Sequence, residues 1–333
     1  MSSNRSNKVL LLLVLISILL LAGMGLRIGD IPTDFLDVYH AVFNYSEQNL
    51  SELIIREIRL PRITIAIISG ASLSIAGMLM QTLFQNPLAG PYVLGINSGS
   101  SLMVAMGILS GVGFFNSELG LIGSALLGAF VFGLFVLFTA SFIRSQIGLL
   151  LFGVMLGSFV GAIITIIEAS SQVDALKAFA LWSMGSLNGV SVDQLPVISF
   201  VFVLGCLGTL LIVKPLNMLV LGEEECRLTG FNVKRLRLSI VFITALFTGL
   251  VTAFCGPIAF VGLAVPNLTR MLFKTQNHFL LLTANLLFGA FFVLSCDLLI
   301  LALSETILIP INALTSLVGA PFVIYILIRK RLF

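Results

Sequence analysis

Apolar stretches long enough to cross a bilayer follow one another along nearly the whole chain, broken only by short polar segments. About 20 apolar residues in a helix span the hydrocarbon. Runs of that order cover 9–26, 63–84, 92–109, 119–143, 147–167, 195–213, 238–255, 279–303 and 307–328, with a shorter one at 258–268. The pattern predicts an all-α, polytopic membrane protein with about ten transmembrane helices. One region departs from it. Residues 28–58 carry Asp30, Asp34, Asp37, Glu47, Glu52 and Glu57 and are too polar to cross. Apolar residues at helical spacing over 35–43 and 50–58 instead predict short amphipathic helices on the outer surface. Arg5 and Lys8 precede the first run as in a signal peptide, but no small-residue cleavage site follows, so the run reads as a retained helix.

Charge gives the pattern a direction. With a cytoplasmic N terminus and alternating helices, Arg5, Lys8, Arg144, Lys214, Arg227, Lys234, Arg235, Arg237, Arg270, Lys274, Arg329, Lys330 and Arg331 fall inside. Only Arg27, Arg56, Arg59, Arg62 and Lys177 fall outside. Thirteen of the 18 basic residues inside satisfies the positive-inside rule, which the reverse orientation breaks. Both termini are therefore expected in the cytoplasm.

Composition removes several function classes. With 58% apolar and 10% charged residues, against about 45–50% and about 25% in soluble domains, 1–333 reads as a single transmembrane domain with no soluble domain attached. Cys206, Cys226, Cys255 and Cys296 lack metal or disulfide spacing and read as packing residues. His40 and His278 are isolated and read as solvent-facing or interfacial, so no metal site, cofactor or nucleic-acid partner is expected. A phosphate-binding GxxxxGK[ST] loop is absent, so any ATP that drives the protein binds another subunit. Glu168, Asp297 and Glu305 fall near outer helix ends and none at a helix centre, which weighs against an ion-coupled carrier.

Two features point to transport through a packed bundle. Helices in lipid approach closely where residues are small. Gly153, Gly157 and Gly161 form a double GxxxG, expected to give a packing or pathway helix, and Gly70, Ser74, Gly77 and Gln81 repeat at the same spacing. Residues 214–237 form the longest cytoplasmic segment and read as two short helices joined by a turn. Glu223, Glu224 and Glu225 suit a first helical turn, Gly230 a left-handed stop and Asn232 the next cap, as in a docking element for a cytoplasmic protein.

These residues, taken together, resemble the permease subunits of ABC importers for ferric siderophores, haem and cobalamin, the FecCD-type family. The likeness covers nearly the whole length. It is carried by Arg59-Leu60-Pro61-Arg62, Ser69-Gly70-Ala71, Gly77, Gln81, Asn86-Pro87-Leu88-Ala89, Pro91, Leu94-Gly95 and Gly99. Trp182, Gly185-Ser186, Leu221-Gly222-Glu223, Gly256, Phe260-Val261-Gly262-Leu263, Pro266, Arg270, Asp297, Pro310 and Gly319-Ala320-Pro321-Phe322 extend it.

The resemblance implies a ten-helix subunit paired with a second permease subunit in the bacterial cytoplasmic membrane, with two ABC ATPase subunits below and an extracytoplasmic substrate-binding protein above. It implies that Arg59 and Arg62 dock the binding protein, that Asn86, Pro87 and Leu88 form a cytoplasmic gate, and that Gly222, Glu223, Glu224, Arg227 and Gly230 belong to the segment coupled to the ATPase. The expected cargo is an iron-siderophore complex, with haem or cobalamin as the alternative. The chain departs from the family pattern at Gln85, Asn267 and Leu301, where arginine, histidine and arginine are usual, and at Leu308 and Asn312 near Pro310. A heterodimer, whose other permease keeps the missing groups, is therefore expected.

Overall fold

The computed structural model describes residues 2–29, 33–43, 45, 49–109, 118–143, 146–304 and 307–330, and all regular structure in them is helical. Asp30, Glu47, Arg144, Glu305 and Arg331, used in the charge argument above, lie outside the described residues. In chain order the helices are α1 (Ser2–Arg27), α2 (Phe35–Phe43), α3 (Leu50–Ile54), α4 (Leu60–Leu83), α5 (Ile96–Leu109), α6 (Glu118–Phe142), α7 (Gln146–Ala169) and α8 (Val173–Ser183). They continue with α9 (Leu195–Leu211), α10 (Val213–Leu219), α11 (Glu223–Leu228), α12 (Val233–Cys255), α13 (Val261–Phe273), α14 (His278–Leu303) and α15 (Ile311–Lys330). Among the described residues seven helical stretches are long and apolar enough to cross a membrane, and Val261–Phe273 and Ile311–Tyr325 are shorter apolar helices.

The bundle is built around α4, which packs against α14, α12 and α13. Its polar stripe shows why. Gly70 lies against Gly289 of α14, each glycine facing the other's carbonyl, with no room for a side chain on either. One turn on, Ser74 donates to Asn285 Oδ1 at 2.8 Å. Gly77 faces the Gly262 carbonyl of α13. That carbonyl has no helical donor, because Pro266 stands four residues later and lacks an N–H. Small residues thus let three helices approach backbone to backbone, the contact that drives association in lipid. The double GxxxG of α7 behaves differently. Gly153 is buried and a side chain at Gly157 would reach Ser98 Oγ at 3.4 Å, but nothing lies within 4 Å of a side chain at Gly161.

Beyond shifts of a few residues at helix ends, two elements differ from the sequence reading. The helix expected over 50–58 is continuous with α4, through a π-helical stretch at Ile55–Arg59 in which Leu60 N–H donates to Ile55 O. Pro61 removes one helical donor and crowds the preceding turn, and the wider turn relieves this. The helix α8 was not anticipated. Its apolar positions Leu176, Phe179 and Ala180 have helical spacing, but Asp174 and Lys177 interrupt the run.

Candidate functional site

At one end of the bundle α4 stops at a turn, and the turn is built from the residues expected to gate. Gln85 takes a left-handed conformation with φ +46, uncommon for a residue with a side chain. Asn86 Oδ1 accepts from Leu88 N at 2.9 Å, closing an Asx turn that Pro87 pre-shapes. Asn267 Nδ2 donates to the Pro87 carbonyl at 2.8 Å and fixes the turn to α13. Leu88 is exposed at the tip.

Beside the turn, α10 is tied to the end of α4 at two points. Gln85 Nε2 donates to the Leu219 carbonyl at 3.2 Å. Asn217 Oδ1 accepts from both the backbone N–H and the Nδ1 of His278, at 2.8 and 2.9 Å. With Nδ1 thus a donor, His278 Nε2 is the acceptor facing Thr82 Oγ1 at 2.9 Å. Arg270 joins the same network through Gln81 and Thr82. His278 is fully buried, which corrects its reading as a solvent-facing or interfacial residue. The cause is geometric: as the first residue of α14 it presents both ring nitrogens to polar groups of α4 and α10.

From α10 the chain turns through Gly222, at φ +139, into α11. The predicted signals are in place here. The three glutamates fill the first turn of α11, Gly230 is left-handed at φ +87, and Asn232 Oδ1 accepts from Arg235 N at 3.0 Å. Glu223 is held within the chain by Arg237 at 2.6 Å and Arg227 at 3.5 Å. Cys226 is buried beneath the segment, and burial together with the Glu223 carboxylate pushes its thiol above the ordinary range. Glu224, Glu225 and Arg227 remain exposed, as do Leu221 (65%) and Leu228 (83%). Leu228 closes the internally braced α11 and Leu221 lies in the turn before it, an exposed apolar pair that the sequence reading missed.

At the opposite end of α4 both arginines of the Arg59-Leu60-Pro61-Arg62 motif have partners inside the chain. Arg59 is buried and its Nη1 donates to the carbonyls of Leu26 and Arg27 at 2.8 and 3.0 Å and to Thr33 Oγ1 at 2.7 Å. It therefore clamps the end of α1, where helix carbonyls lack partners and favour a cation. Arg62 binds Asp297 of α14 with two nitrogens, at 2.8 and 3.0 Å. The side chains are 15% and 2% exposed. Of the positions departing from the family pattern, Gln85 and Asn267 hold the turn, and Asn312 Oδ1 accepts from Ala259 N at 3.0 Å. Among the described residues no cluster of metal-ligating side chains occurs.

A bundle of helices long and apolar enough to cross lipid, with a proline turn at one end tied to a short surface segment, is the architecture of a multi-pass membrane protein. The chain belongs to the FecCD transport family, whose model matches residues 10–329. It is 34% identical over 324 residues to the hemin transport system permease protein HmuU of Yersinia pestis, covering 96% of this chain and 95% of that protein. It is 36% identical over 288 residues to the vitamin B12 import system permease protein BtuC of Vibrio cholerae, covering 85% of each. Among solved structures it is similar to a metal-chelate type ABC transporter in an inward-facing conformation, with TM-score 0.85, 30% identity and coverage of 96% and 99% of the two chains.

Proposed function

We propose that this chain is one of two permease subunits of an ATP-driven importer that carries an iron-siderophore complex across the bacterial cytoplasmic membrane. In this reading ten helices cross the membrane, both termini are cytoplasmic, and two ABC ATPases bind below. The observation that carries it is the double tie between α10 and the end of α4. The segment presenting Leu221 and Leu228 cannot shift without pulling Gln85 and His278, and with them the turn at Asn86, Pro87 and Leu88. A carrier coupled to a separate ATPase needs such a link, because the nucleotide site lies outside the chain.

Substrate enters from an extracytoplasmic binding protein docked at the end of the bundle formed by α2, α3 and the Arg59 and Arg62 region. The Gly153, Gly157 and Gly161 face of α7 borders the pathway. The second permease is a different chain, and finding this sequence as the sole permease species in the purified complex refutes that. The names of the similar permeases put chelated metals and corrinoids within the cargo class. Uptake of labelled ferric siderophores, haem and cobalamin by a deletion strain, with and without this gene, tests the choice. Gene-dependent uptake of a ferric siderophore alone is expected, and gene-dependent uptake of only haem or cobalamin overturns the siderophore assignment.

Two substitutions address the coupling. Leu221→Glu with Leu228→Glu is expected to lower ATPase co-purification at least about tenfold, because two buried apolar anchors are worth about 1.5–3 kcal/mol each. Gln85→Leu with Asn217→Ala is expected to leave ATPase binding intact and to reduce transport per ATP hydrolysed. An unchanged transport-to-hydrolysis ratio in the second pair rules out the tie as the coupling route.

A further inference from the structure

On the outside of the bundle an apolar groove of about 730 Å³ runs along the seam between α6 and α12, bordered by Val197 and Val201 of α9. Gly133 and Gly249 lie at its floor, where a side chain on Gly133 would come within 3.1 Å of Ala245 Cβ and one on Gly249 within 2.8 Å of Ala129 Cβ. The helices therefore touch at their smallest residues, and Phe130, Leu134, Phe242 and Leu246 stand up as walls. Leu137 belongs both to this groove and to a smaller cavity of about 150 Å³ at the start of α12. That cavity is lined by Arg227, Lys234 and Arg237, with Val233 and Leu238 beside them. Along α12, Lys234, Leu238 and Phe242 repeat every four residues, so one helix face passes from charge to hydrocarbon within about two turns.

Three cations here face one carboxylate. Glu223 binds Arg237 and Arg227, and among the described residues no ion pair involves Lys234. The far end of the groove carries the opposite sign, at Asp193. An amphiphile with a negative head therefore has a single favourable orientation.

We propose that this continuous surface binds an anionic phospholipid, with its phosphate against Arg227 and Lys234 and an acyl chain in the α6–α12 groove. Basic pockets at the ends of membrane helices favour such headgroups, and hydrocarbon supplies the rest of the affinity. Because Arg227 and Glu223 both belong to α11, a bound phosphate also competes with Glu223 for Arg227. Lipid charge thereby reaches the exposed docking helix. The lipid site does not depend on what docks there.

The test uses the purified full chain, delipidated in neutral detergent and titrated with phosphatidylglycerol, phosphatidylcholine or inorganic phosphate, read by native mass spectrometry and thermal melting. Phosphatidylglycerol is expected to give discrete adducts and a raised melting temperature that the other two do not reproduce. Arg227→Gln with Lys234→Gln is expected to weaken phosphatidylglycerol binding about tenfold or more. Lys214→Gln with Lys274→Gln, an equal loss of charge at exposed positions elsewhere, is expected to leave it unchanged. Equal binding of the two lipids, or equal weakening by the two pairs of substitutions, overturns the proposal. Phosphate binding as tightly as phosphatidylglycerol replaces it with a free-anion site. Unchanged melting of the lipid-free variants shows that the fold is intact.

Discussion

A Gly77→Val chain is expected not to accumulate as a folded protein, whereas Gly161→Val is expected to purify like the parent. At Gly77 the atom that a side chain would meet is the backbone carbonyl of Gly262, followed by the carbonyl carbon and Cα of the same residue. A side-chain neighbour can change rotamer, but these atoms move only if α13 moves, and α13 is held by Asn267 and Arg270. Overpacking a core costs about 1–3 kcal/mol when side chains yield, and backbone against backbone lies at or above the top of that range. That is a large share of the about 5–15 kcal/mol that keeps a domain folded. Gly161 has nothing within 4 Å. Size-exclusion profiles and melting temperatures of the two detergent-solubilised variants decide the matter. A Gly77→Val melting point within a few degrees of the parent would refute the close approach.

Asp297→Ala is expected to destabilise the fold by about 3–5 kcal/mol, the cost of leaving a buried partner charge uncompensated. Arg62 has little access to water in its present position, and the carboxylate it loses is the one that spans from α4 to α14. Arg62→Met with Asp297→Leu should recover most of the loss, since apolar residues of similar volume replace a buried pair at little cost. Chemical denaturation or thermal melting of the three proteins measures both effects. The double variant has a second use. With the fold restored and the arginine gone, its affinity for the extracytoplasmic binding protein reports whether Arg62 also serves as a docking residue. Unchanged affinity would place docking on other groups. Reversing Arg59 and Arg62 to glutamate cannot make that distinction, because it also breaks the internal bonds at Leu26, Arg27, Thr33 and Asp297.

The hydrophobic pattern made the helices legible because each crossing must satisfy its backbone internally and present apolar side chains outward, so length and composition alone mark it. The segment 214–237 was equally legible. Its caps are local: three glutamates, Gly230 and Asn232 specify their own turns. The Gly70, Ser74, Gly77 and Gln81 stripe announced a protein-facing surface, and each member found a partner on α13 or α14. The double GxxxG of α7 carried the same local signature, but within the chain nothing lies within 4 Å of a side chain at Gly161. Least legible were Gln85, Asn217, Asn267 and His278, whose partners lie 61 to 196 residues away in sequence. One sign of them was available. A polar group beside an apolar helix must be satisfied by protein. His278 at the start of such a helix, with Asn217 on a preceding short one, met that condition, but their proximity was not encoded in either stretch.

The glycine contacts along α4 also bear on how the molecule can move. A helix pressed backbone to backbone against two others cannot turn about its own axis without lifting off them, nor slide without driving carbonyls into Cα atoms. The central trio of α4, α13 and α14 is therefore a keel. Compliance has to come from the rim, where Gly95 at φ +75 separates α5 from the Asn86 turn and α7 presents an open face at Gly161. Any alternation between two states is then a swing of outer helices about a stiff spine.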